Sequence, residues 1–187
     1  MKRKLKTSML VVVIVLLVMG TTVEAKKFSL GIEFGYFAPG GDMFKTLYSS
    51  GGFTYGANAA FELFENVSIQ GAVDFYKTDG VTEITGEGVT MKLTNFRLGL
   101  FYHLSKGGFA PKIGAGAAMT SVKEDDPFGG FSDAAVGWFV GAGVDIPLFG
   151  NFLAGLELIY NSAKLEGDFG KEETGGISLL LNFKLEI

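Results

Sequence analysis

From Phe28 onward apolar and polar positions alternate with a period of two, not 3.6. Phe28, Leu30, Ile32, Phe34 and Tyr36 alternate with Ser29, Gly31, Glu33 and Gly35. On a strand this gives one greasy face and one small or polar face. The pattern recurs over Phe53–Leu63, Val67–Phe75, Phe96–Leu104, Ile113–Met119, Val136–Ile146, Phe152–Tyr160 and Ile177–Ile187. The fourth segment is irregular. Val89, Met91 and Leu93 fall in the opposite phase to Phe96, Leu98, Leu100 and Tyr102, and a β-bulge near Thr94-Asn95 is expected to restore the alignment.

Connections are predicted to alternate in length. Short turns fall at Glu65-Asn66, Ser105–Gly108 and Phe149–Asn151. Long polar loops fall at about Ala38–Gly51, Lys77–Gly88, Val122–Asp133 and Ser162–Thr174. That alternation is the habit of outer-membrane barrels, with short periplasmic turns and longer outside loops. The strands are close to the ~9–11 residues that cross hydrocarbon at a tilt. An unpaired sheet edge in hydrocarbon costs several kcal/mol per backbone group, so the first and last strands are expected to pair. The predicted fold is all-β: a closed antiparallel eight-stranded transmembrane up-and-down β-barrel with both mature termini at the periplasmic side.

Met1–Ala25 reads as a cleaved secretory signal peptide. Lys2, Arg3, Lys4 and Lys6 form its positive start, Met9–Met19 its apolar run, and Val23-Glu24-Ala25 its cleavage site. Residues 26–187 are then the barrel domain. Removing those four basic residues and Glu24 from 16 basic and 20 acidic residues leaves 12 and 19, a net charge of about −7.

Composition narrows the classes further. The chain has 28 Gly, 18 Phe and only 4 Pro, which suits closely approaching backbones and a surface that touches lipid. With no Cys there is no disulfide, thiolate metal site or Cys nucleophile, and one His excludes a multi-His metal centre. Neither a basic excess nor a motif points to nucleic acid.

Several residues then look like the small outer-membrane β-barrel domain family related to the OmpA transmembrane domain and OmpX. They are Gly35-Tyr36-Phe37 before Pro39, the Asp42–Gly52 loop with Tyr48, Pro111-Lys112-Ile113-Gly114-Ala115-Gly116, and Gly155-Leu156-Glu157-Leu158. The resemblance spans the mature chain. It implies an outer-membrane barrel, porin-like in the broad sense, and leaves the individual function open. Two departures stand out: the chain ends in Ile187 where many barrels end in an aromatic residue, and no wall-anchoring domain is expected after the last strand.

The inward faces carry the candidate site: Glu33, Asp74, Arg97 and Glu157 near mid-height, and Glu62, His103, Lys112, Asp145, Lys184 and Glu186 nearer the periplasmic end. An eight-stranded barrel is narrow enough to be filled by side chains, and isolated buried charges are very costly. A lumen charge network of Glu33, Glu62, Asp74, Arg97, Lys112, Asp145, Glu157, Lys184 and Glu186 is therefore preferred to an ion or proton passage. Three acids around Arg97 suggest that one of them binds a proton.

The remaining candidates read more plainly. His103 and Ser105 form a His-x-Ser pair of the kind some lipid deacylases use, but no orienting acid accompanies it, so no enzyme activity is expected. Glu124-Asp125-Asp126 reads as a solvated acidic loop rather than a cation site. Asp42–Tyr48 is expected to form a helical turn. Tyr36, Tyr48, Tyr55, Tyr76, Tyr102 and Tyr160 are expected near interfacial belts. The leading function is structural or surface-interacting, and the alternative is a narrow porin-like channel or a binding protein for small or hydrophobic solutes. No cofactor or metal is expected. Expected partners are outer-membrane lipid, the barrel-assembly machinery and a surface partner met through the outside loops.

Overall fold

The computed structural model describes residues 27–41, 51–81, 88–105, 108–126, 129–167 and 170–187. The signal segment Met1–Ala25 and the helical turn expected at Asp42–Tyr48 lie outside these. The described strands are β1 Phe28–Pro39, β2 Gly52–Phe64, β3 Val67–Val81, β4 Gly88–His103, β5 Ala110–Asp126, β6 Gly129–Phe149, β7 Phe152–Gly167, β8 Gly170–Glu173 and β9 Gly176–Glu186. Every pairing is antiparallel, and β1 pairs with both β2 and β9. Eight strands close the ring, while the short β8 folds back on the tip of β7.

Closure can be followed residue by residue. The partners run Ser29, Ala60, Gln70, Gly99, Gly116, Phe139, Asn161, Gly176 and return to β1 at Pro39, ten residues above the start. With ~3.3 Å per residue and ~4.8 Å between strands, this stagger gives a strand tilt of about 40° and a barrel radius of about 8 Å.

The polarity is inside-out. Ile32 is 61% and Trp138 51% exposed on the outer wall, whereas Glu157 and Lys112 are 0% and 1% exposed within. Tyr36, Tyr55, Trp138 and Tyr160 sit outward near the upper ends of the greasy faces, and Trp138 and Tyr160 rings are 5.6 Å apart. This is the interfacial belt expected of aromatic side chains in a membrane wall. Tyr76 departs from the expectation: it points inward, is buried, and meets Phe37 edge-on at 5.2 Å.

Two expectations are corrected. There is no bulge at Thr94-Asn95, because the register of β4 with β3 and β5 runs through both residues without a shift. Val89, Met91 and Leu93 instead point into the barrel and pack with Phe37, Tyr76, Val122, Ala135, Ala163 and Leu165. The outward neighbours Lys77, Lys92, Lys123 and Lys164 are exposed. The apolar phase flips because the surroundings change from hydrocarbon to water at that height; the backbone need not change. The second correction concerns the outside loops. Much of Lys77–Gly88, Val122–Asp133 and Ser162–Thr174 is strand, since β3 runs to Val81, β5 to Asp126, β6 from Gly129 and β7 to Gly167. Glu124-Asp125-Asp126 therefore belongs to β5 rather than to a loop.

Below, the turns are short. Gly150 takes a left-handed φ of 55° in the β6–β7 turn, which favours a residue without Cβ. Within the wall, a Cβ on Gly114 would collide with the Phe101 ring and one on Gly99 with the Phe139 ring. These glycines make room for large inward rings in a narrow lumen.

Candidate functional site

The alternating strands aim every second side chain into a space with a radius of about 8 Å before side chains are counted. What fills it is layered. At mid-height, Arg97 of β4 faces β1 and β3. Its Nη2 lies 2.7 Å from Glu33 Oε1 and 2.8 Å from Asp74 Oδ2, and its Nε donates to Asp74 Oδ2 at 3.0 Å. Asn58 Nδ2 donates to the other Glu33 oxygen at 2.8 Å. Beside this polar group, beginning at Ala118, which pairs with Arg97, is a buried apolar cluster of Phe101, Ala118, Phe139, Ile159 and Leu180.

Nearer the periplasmic end is a second cluster. Lys112 Nζ is 2.5 Å from Glu157 Oε1 and 2.9 Å from Asp145 Oδ2. Lys184 Nζ is 3.0 Å from Asp145 Oδ1 and 3.2 Å from Glu157 Oε1. Asn182 Nδ2 donates to Glu157 Oε1 at 2.9 Å, and Gln70 Nε2 reaches Glu157 Oε2 at 3.4 Å. Lys112 also stands 5.5 Å from the centroid of the Phe101 ring. A buried ion pair survives only when geometry is good and the remaining lone pairs are met. Here each buried cation touches two carboxylates, and side-chain amides supply further bonds.

Seven of the nine predicted network residues thus lie in these two clusters: Glu33, Asp74 and Arg97 in one, Lys112, Asp145, Glu157 and Lys184 in the other. The other two, Glu62 and Glu186, lie nearer the periplasmic mouth. Both line a cavity of about 320 Å³ that opens at the periplasmic end, and Glu186 pairs with Lys27 at 3.2 Å. Of the three acids expected around Arg97, Glu33 and Asp74 touch it, while Glu157 is taken by the two lysines.

Both members of the His-x-Ser pair line the periplasmic cavity, and each engages another group. His103 Nε2 lies 3.0 Å from Ser68 Oγ, and Ser105 Oγ donates to the Phe109 carbonyl at 2.7 Å. Among the described residues no group of three His, Cys, Asp or Glu side chains is placed to hold a metal ion. The sequence reading missed Asn58, Gln70 and Asn182 as network members. Their inward phase was visible, but amides carry no charge to draw attention.

The profile of the outer membrane protein beta-barrel domain matches residues 9–183. The chain belongs to this family. Solved structures with the same fold include Neisserial surface protein A, at 13% identity and a TM-score of 0.65 over 88% of this chain and 100% of that one. Outer membrane protein OprG of Pseudomonas aeruginosa gives 14% and 0.67 over 88% and 97%. Ail, the attachment invasion locus protein of Yersinia pestis, solved with the heparin analogue sucrose octasulfate, gives 14% and 0.58 over 88% and 100%. At such identities the likeness is one of fold. No curated protein matches the chain. Family and fold together assign this outer membrane barrel to the bacterial outer membrane.

Proposed function

We propose that the protein is a structural, surface-presenting outer membrane barrel whose lumen is sealed by its own side chains. The observation that carries this is the stacking of three blocks along one narrow axis. The Lys112–Lys184–Asp145–Glu157 cluster closes the periplasmic third. Arg97 with Glu33 and Asp74, set against Phe101, Phe139, Ile159 and Leu180, fills the middle. Phe37, Tyr76, Met91, Leu93 and Val122 fill the outer end. An ion crossing the barrel has to break buried ion pairs and then pass an apolar plug, both unfavourable by several kcal/mol.

In this reading the charges hold the wall together, the strand tips β3–β7 carry the surface outward, and their loops meet partners outside. Ail, by name an attachment protein, offers a precedent for that use of such a fold. The segment through Ala25 is removed on export, and the barrel-assembly machinery inserts the remainder. No catalytic role is assigned. The second reading, a binding site for small solutes, is favoured by the periplasmic cavity of about 320 Å³, which Lys112, Asp145 and Lys184 help to line.

Swelling of protein-loaded liposomes in isosmotic glycine or arabinose tests the seal. Swelling rates equal to those of empty liposomes are expected, and rates rising with protein content overturn it.

A further inference from the structure

We draw no further inference here: the strongest candidate, the cavity of about 320 Å³ at the periplasmic end of the lumen, belongs to the site already described, and nothing in the structure shows which ligand it would take.

Discussion

Replacing Arg97 with methionine keeps most of the side chain's bulk and removes its charge. Glu33 and Asp74 then remain buried, facing one another without a cation; both are under 5% exposed. At an effective dielectric near 20, each unit pair at ~4 Å is worth about 4 kcal/mol, so the two contacts represent about 8 kcal/mol of gross attraction. Much of this offsets the desolvation of the arginine itself. Breaking a buried pair from one side typically costs about 3–5 kcal/mol net, and that is the expected loss. The assay is urea unfolding of the barrel in phospholipid vesicles, followed by Trp138 fluorescence. Adding Glu33→Gln and Asp74→Asn to Arg97→Met removes the stranded charges and should restore stability to within about 1 kcal/mol of wild type, because the three residues act as a unit. A single variant as stable as wild type, or a triple variant no better than the single, refutes the reasoning.

Four further outcomes follow from the inside-out wall. Ile32→Arg places a charge on the lipid face near mid-bilayer and should cost about 2–4 kcal/mol by the same unfolding assay. Met91→Ala, in the outer plug, should cost about 2–5 kcal/mol, while Lys92→Ala next to it on the opposite face should stay within about 0.5 kcal/mol; equal effects would contradict the polarity flip. Trp138, the chain's single tryptophan, should be quenched by lipids brominated high on their acyl chains and resist aqueous iodide; the reverse pattern would remove it from the belt. The intact mass of the membrane-extracted protein should correspond to a chain beginning at Lys26, and a mass retaining residues 1–25 would refute cleavage after Ala25.

The wall was legible wherever one face met hydrocarbon over its full length. Phe28–Tyr36 and Ile177–Ile187 alternate so regularly that strand, face and direction follow from the residues alone. Legibility failed where the solvent changed along a single strand. In β4 the greasy residues switch sides between Leu93 and Phe96 while the backbone continues in register; sequence alone does not distinguish that switch from a bulge. The same switch hid the strand tips of β5 and β7, where Lys123 and Lys164 are exposed while Val122, Ala163 and Leu165 are buried inside the barrel. In the lumen, charge and phase identified the members, but partners depend on the ten-residue stagger. Lys184 of β9 meets Asp145 of β6, a strand it does not pair with, and no local pattern reports that contact.

The sealed lumen is tested most directly by single-channel recording of the purified barrel in planar bilayers at high salt. The layered filling by Lys112, Lys184, Arg97 and the Phe37–Leu93 plug predicts a silent membrane across a wide voltage range. Reproducible unitary current steps that scale with the amount of folded protein would contradict it.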